Sequence, residues 1–354
     1  MPNNFIPSTS FWNGKRVLLT GHTGFKGAWT LVLLNRLGAH VTGFSLEPDT
    51  DPALFELIGG DALCNSIIGD IRDANAIRSA VQSCDPEIVI HMAAQPIVRR
   101  SITDPIETFE TNVMGTCNLL HALIGVAADV ILVVTSDKVY HNDESGNALK
   151  EGDRLGGFDP YSASKAATEL VTDSFRKTYF EKAGVAVATA RCGNIVGGGD
   201  YSVDRIVPDI VRSAESGSQL VLRHPEATRP WLHVIDGING YCSYIEFLAK
   251  KKNAPNCMNF GPSEQKPLTV GALATDMLSC LSHDPDWVHE PVPNSIEKRA
   301  LAVDSTQART VLNWTDLVRD SRRIELIAEW HQKVKLGSAP LEVCESQLSQ
   351  VLSM

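Results

Sequence analysis

The sequence holds no pair of cysteines at Cys-x-x-Cys spacing, although it contains eight (Cys64, Cys84, Cys117, Cys192, Cys242, Cys257, Cys280 and Cys344). Several sit inside apolar runs, where cysteine acts as a small buried hydrophobe, so neither a disulfide framework nor a zinc site is expected. None of the ten histidines stands at metal-ligand spacing from Asp, Glu or Cys, and no metal is expected. No apolar stretch approaches the ~20 residues that span a bilayer. Met1–Ser10 lacks the basic-then-apolar layout of a secretion signal, and a cytoplasmic protein is expected. Positive charge is also in short supply. A net charge of −10 with no basic run disfavours nucleic acid, whose binding rests on neutralising phosphates. A small anionic ligand stays open, because a pocket can be positive on a negative protein.

What is present is a repeating α/β pattern. Arg16–Thr20, Val41–Phe44, Ile88–His91, Val130–Thr135 and Val185–Ala190 are nearly continuous apolar runs, as in strands covered on both faces. Asp104-Pro105-Ile106-Glu107 supplies a helix cap, a first-turn proline and a capping-box carboxylate, and Asp159-Pro160 opens another helix. Gly38 and Gly184 sit where helices should stop. Alternating strands and helices imply a Rossmann-type doubly wound parallel sheet. After about Asn194 the pattern loosens, with Gly197-Gly198-Gly199 marking a loop. The expected division is a dinucleotide-binding domain over 12–193, joined by a returning segment at about 233–262. A smaller, partly interwoven α/β substrate domain takes 194–232 and 263–340.

After the first strand comes Gly21-His22-Thr23-Gly24-Phe25-Lys26-Gly27, then a helix expected from about Ala28. Glycines there permit a tight turn, close approach of backbone to a pyrophosphate, and packing of the helix on the sheet. The helix N-terminus offers free N–H groups to the phosphates. The second strand ends in Ser45 where a ribose-binding acid is often found, and Glu47 precedes Pro48, so NAD and NADP both stay open on these residues.

Tyr161 and Lys165 stand four apart, on one helix face. A lysine ammonium one turn from a phenol should lower the phenol's pKa, so that Tyr161 can take a hydroxyl proton as hydride leaves. Thr135-Ser136-Asp137-Lys138 ends a strand, where ligands bind in open α/β sheets. Either Ser136 or Thr135 could hydrogen-bond the substrate oxygen, with Ser136 favoured because it adjoins the acid. Asp137 suggests a hydroxyl that leaves, which requires a protonated acid and hence a raised pKa, and the neighbouring Lys138 would oppose that.

The glycine loop's Gly-x-x-Gly-x-x-Gly spacing resembles that of the extended short-chain dehydrogenase/reductase superfamily. Asp70-Ile71 and Ala93-Ala94-Gln95 resemble the adenine-side and ribose-side segments of that superfamily, a likeness that implies cofactor contacts there. The stretches GHTGFKG, TSDKVY, GGFDPYSASKAA and ARCGNIVGGGDYSVDRIVPD resemble those of the CDP-glucose 4,6-dehydratases, a likeness that runs from about Trp12 to Trp314. The resemblance implies an NAD-dependent lyase of nucleotide-sugar metabolism, serving deoxysugar and surface-polysaccharide synthesis. It would oxidise C4 of a hexose with Tyr161, Lys165 and Ser136, eliminate water across C5 and C6, and return hydride to C6. Asp137 would protonate the departing C6 hydroxyl. Lys138 stands where related dTDP-glucose enzymes carry a glutamate base, and would act as the C5 base or stabilise the enolate. The resemblance further implies diphosphate and nucleotide contacts from Asn194, Arg205 and Arg229, a structural Asn112, and a homodimer paired through the helices after Asp104 and Asp159. Glu297–Asp304 matches a substrate-binding stretch only in part, because of Lys298, Arg299 and Ala302. The tryptophans are expected in the core or in pocket walls, and Glu342–Met354 as a polar helix or tail. Two rival readings share the fold: a nucleotide-sugar 4-epimerase, which has no leaving hydroxyl to protonate, and a catalytically silent dinucleotide-binding sensor or scaffold.

Overall fold

A computed structural model describes residues 5–143, 145–251, 253–263, 268–284, 286–291 and 301–353. Seven parallel strands form its central sheet. In chain order these are β1 (Arg16–Thr20), β2 (His40–Ser45), β3 (Asn65–Ile68), β4 (Ile88–His91), β5 (Val130–Val134), β6 (Ala186–Cys192) and β7 (Cys257–Phe260). Their spatial order is β7-β6-β5-β4-β1-β2-β3, so the winding reverses between β1 and β4, and a crevice opens beyond the carboxyl ends of these two strands. Every residue of β4 and β5 is buried, which accounts for their unbroken apolar sequence. β3 escaped the sequence reading because it is a short, partly exposed edge strand that includes polar residues. Sequence alternation carries little signal at such an edge.

Helices cover both faces. One layer includes α1 (Phe25–Arg36), with the long Val234–Lys250 and the last helix, Pro340–Leu352, packed in the same core. The opposite layer includes Ala74–Cys84 and Gly115–Ala122. A separate small core joins Ile210 and Val211 to Leu273, Met277 and Ile327, beyond the sheet's carboxyl edge. Of the polar helix or tail expected here, Pro340–Leu352 is a helix, but an amphipathic one: Val343, Cys344, Leu348 and Leu352 are buried on one face.

Helix ends differ in two details from the sequence reading. α1 starts at Phe25, three residues before the expected Ala28, because Gly24 already takes the extended N-cap conformation. Asp104 caps its helix by accepting the Glu107 N–H, but the Glu107 carboxylate pairs with Arg100 at 2.6 Å instead of closing the capping box. The Asp104 N–H that it would have accepted already donates to the Arg100 carbonyl.

The triple-glycine loop is a packing joint. The Trp330 indole lies where a Cβ on Gly198 would be, at 2.2 Å, and Trp29 Nε1 donates to the Gly198 carbonyl at 3.0 Å. Trp330 is fully buried, so Trp330→Ala should cost about 3–5 kcal/mol. Urea denaturation checks this, and a loss under 1 kcal/mol would mean the loop holds its shape without the indole.

Candidate active site

The crevice is a cleft of about 720 Å³ lined by residues of the glycine loop, the ends of β2, β4 and β5, and the Asn194–Arg229 region. Its floor is glycine by necessity at two points. Gly21 has φ +76°, and a Cβ there would lie 2.8 Å from the Ala93 nitrogen. At Gly27 a Cβ would meet the Gly21 carbonyl oxygen at 2.0 Å. Gly24 differs: its Cβ position has no neighbour nearer than 3.6 Å, so it leaves space over the N-terminus of α1. That cradle of backbone at a helix start suits a pyrophosphate, and the residues present fit a dinucleotide.

The adjoining side chains brace this loop. Thr23 Oγ1 lies 2.8 Å from Ser45 Oγ and donates to the Leu46 carbonyl, so Ser45 supports the loop from the end of β2. Phe25 and Lys26 line the cleft, as do Asp70, Ile71, Ala93 and Ala94. The Asp70 carboxylate is paired with Arg72 at 2.6 Å, which holds it below the usual carboxylate range. Gln95 reaches the cleft wall, and its side chain is oriented there by donating to Thr108 and accepting from the Ile97 N–H. Asn112 holds the Gln95 backbone through both amide atoms and donates to Ser164, a structural task.

Tyr161 and Lys165 come from α2 (Pro160–Phe175), which Asp159 caps by accepting the Ser162 N–H. They meet the end of β5, where Lys165 Nζ donates to the Val134 carbonyl at 3.4 Å. Burial pushes the Lys165 ammonium down to about 7, helped by the nearby Lys26 and opposed by Glu169. The expected depression of the Tyr161 pKa is not found. Burial raises it, and the Ser136 hydrogen bond only partly offsets that, because desolving a phenolate outweighs one hydroxyl contact. Ser136 and Thr135 are now distinguishable. The Thr135 hydroxyl donates to Glu169 at 2.5 Å, away from the cleft, whereas Ser136 reaches Tyr161 and donates to Asp137 Oδ1 at 3.0 Å.

Asp137 is 2% exposed and its Oδ2 has no hydrogen-bond partner. Burial raises its pKa, with Lys138 opposing. Burial also lowers the pKa of Lys138, whose Nζ stands 5.7 Å from the Tyr161 ring centre, with Asp137 opposing. Desolvation is the leading influence on both groups, moving the acid up and the amine down. Across the cleft stand Asn194, Arg205 and Arg229. Arg205 Nε is buried with no partner, while Arg229 donates to its neighbour's carbonyl at 2.9 Å. Glu297, Lys298 and Arg299 lie outside the described residues; Ala302 lies within them, and its carbonyl accepts the Leu149 N–H. The described residues contain no cluster of His, Cys, Asp and Glu fit for a metal.

The sequence marks Lys26 as a cofactor-binding member of the loop; folding adds that its ammonium comes near Lys165, Asp137 and Asp200.

With this geometry in place, the comparisons with known proteins decide the family. The NAD dependent epimerase/dehydratase family model matches residues 17–261. The chain belongs to that family. A CDP-glucose 4,6-dehydratase of Salmonella typhimurium is 38% identical over 97% of this chain and 98% of its own. A dTDP-glucose 4,6-dehydratase of Streptomyces antibioticus is 28% identical over 92% of this chain and 95% of its own. Among solved structures, a dTDP-glucose 4,6-dehydratase double mutant of Streptomyces venezuelae, with NAD bound, superposes with a TM-score of 0.78 at 23% identity, covering 92% of this chain and 99% of that one. A UDP-glucose 4-epimerase of Thermotoga maritima gives 0.78 at 20% identity, covering 90% and 99%. At these identities the structural matches speak for the fold.

The glycine floor makes a direct prediction. Gly27→Ala should weaken NAD binding at least about tenfold, since the added methyl must displace the loop carbonyl. Isothermal titration measures this, and unchanged affinity would refute the role of the close approach.

Proposed function

We propose that this enzyme converts CDP-glucose to CDP-4-keto-6-deoxyglucose and water, as an NAD-dependent hydro-lyase. The observation that carries the reading is Asp137: a buried carboxyl with a free oxygen, beside the Lys138 amine and the Tyr161 phenol, in one cleft. An epimerase has no use for a second acid at this point. The similarity to the Salmonella enzyme supports CDP as the nucleotide.

Ser136 and Tyr161 hold the C4 hydroxyl, and Tyr161 takes its proton in the phenolate form, which the Lys165 ammonium must stabilise against the burial that favours the phenol. The glycine loop, 21–27, would hold NAD, which would supply the hydride acceptor for C4 and the hydride donor for C6. The C4 ketone acidifies the C5 proton. Lys138, as a neutral amine, removes it, while Asp137 donates a proton to the C6 hydroxyl, which leaves as water. Hydride return at C6 leaves an enolate, whose C5 takes a proton back from the Lys138 ammonium. The proton that Tyr161 took from the C4 hydroxyl makes good, through solvent, the one that Asp137 gave to the departing water, so the cycle closes with loss of one water. Asn194, Arg205 and Arg229 hold the diphosphate and nucleotide, a guanidinium fork being suited to phosphate oxygens. In this reading residues 12–193 and 233–262 carry the cofactor, and 194–232 with 263–340 the sugar nucleotide. The enzyme acts in the cytoplasm as a homodimer, in deoxysugar synthesis for surface polysaccharide.

CDP-glucose deuterated at C4 tests the reaction. The label should appear at C6 with loss of water, whereas recovery at C4 with unchanged mass would establish an epimerase. Lys138→Ala should retain C4 oxidation but slow C5 exchange with solvent deuterium by ~10²-fold or more. Undiminished exchange would remove Lys138 from that step. The kcat/KM profile should fall as pH rises through about 7, where the free enzyme's Lys165 loses its charge. A profile flat to pH 9 would contradict this.

A further inference from the structure

Behind the cleft lies a buried charge pair that none of the steps above uses. Glu169 continues the helix stripe of Tyr161 and Lys165, one turn beyond the lysine and on the same face. Its carboxylate is filled by three donors: Thr135 Oγ1 at 2.5 Å, Thr189 Oγ1 at 2.8 Å and Arg191 Nη2 at 2.7 Å. The pair is almost sealed from solvent, with side chains 4% and 5% exposed. Arg191 also donates through Nη1 to the Tyr140 hydroxyl at 2.9 Å and to the Glu151 carbonyl at 3.0 Å. Tyr140 in turn donates to Asn259 Oδ1, on β7, at 2.6 Å.

The two residues gripped by this pair, Thr135 and Tyr140, bracket the segment that carries Ser136, Asp137 and Lys138. That segment is a single 3₁₀ turn, too short to fix its own geometry. Burying an ion pair is costly in desolvation, and a hydrophobic substitute is often as stable, so its presence here calls for another reason.

We propose that the Glu169–Arg191 pair is a positioning device that clamps the Ser136-Asp137-Lys138 turn from both ends and ties it to the helix carrying Tyr161 and Lys165. Neither residue of the pair lines the cleft, and the pair acts through Thr135, Tyr140 and Lys165. This rests on the dehydratase reading for the meaning of the turn, although the clamp itself is a matter of geometry. A second effect follows from charge. Lys165 faces Lys26 on α1, His91 on β4, and Tyr161 and Glu169 on its own helix. Glu169 is the anion in that group that favours the ammonium form.

The test compares Thr135→Val, Thr135→Ser and Glu169→Gln with the wild type, on whichever CDP-, dTDP-, UDP- or GDP-hexose the wild type turns over. Thr135→Val removes one tie without leaving a charge unpaired, and Thr135→Ser restores the hydroxyl. The expected result is a kcat fall on the order of 10²-fold in Thr135→Val, since misplacement by about 1 Å costs that much. KM should stay within about threefold, because the nucleotide contacts are untouched. Thr135→Ser should recover most of the rate. Glu169→Gln should lose kcat likewise and move the alkaline fall in kcat/KM to lower pH by about one unit, as Lys165 loses its anion. Should Glu169→Gln fail to fold, the two threonine variants carry the test. Wild-type kcat in Thr135→Val, or a loss that Thr135→Ser does not repair, would overturn the clamp. The C4 label in the wild type reports separately: recovery at C4 ends the dehydratase reading and leaves the variant-to-wild-type ratios to judge the clamp.

Discussion

The site depends on the desolvation of several ionisable groups packed at one end of a parallel sheet. Asp137, Lys138, Tyr161 and Lys165 all lie in or beneath the cleft, and burial is the largest influence on each of their pKa values. In water these groups would be a carboxylate, two ammoniums and a phenol, a poor set for acid–base chemistry near neutrality. Removed from water, the acid rises, the amines fall, and their protonation states come within reach of one another. The fold supplies this environment by reversing its winding between β1 and β4, which opens a crevice without exposing the strand ends to bulk solvent.

Such an arrangement must be held in place from outside the cleft. The structure does this with polar groups that are fully partnered: Glu169 with three donors, Asn112 with the Gln95 backbone and Ser164, and Asp159 capping α2. Groups facing the cleft are less satisfied. Asp137 Oδ2 and Arg205 Nε are buried with no partner. Buried polar atoms are almost always paired, so unpaired ones in a cleft mark places where a ligand completes the set.

Several rival readings lose ground on the same observations. A silent dinucleotide-binding scaffold would have no call for a sealed carboxyl beside two depressed lysines. Family membership and the superposed folds are shared by epimerases and dehydratases alike, so they do not separate those two chemistries. The proposed distinction rests on Asp137 and Lys138, a buried carboxyl and a buried amine in the cleft beside Ser136, Tyr161 and Lys165.

The sequence by itself determined the parallel α/β fold, the glycine loop, and the Tyr161–Lys165 and Ser136–Lys138 sets, because each is written in local spacing: apolar runs of strand length, glycines at fixed offsets, residues one helical turn apart. It did not reveal the edge strand Asn65–Ile68, whose exposure leaves no hydrophobic pattern, or the buried face of Pro340–Leu352. Nor did it show which hydroxyl, Thr135 or Ser136, faces the cleft, since adjacent residues differ in direction only once the strand is set in the sheet. The sign of the Tyr161 shift, the approach of Lys26, and the Glu169–Arg191 pair were decided by tertiary structure. Burial and long-range electrostatics depend on what packs around a group, and that neighbourhood is assembled from β4, β5, β6 and α2, whose residues lie far apart along the chain.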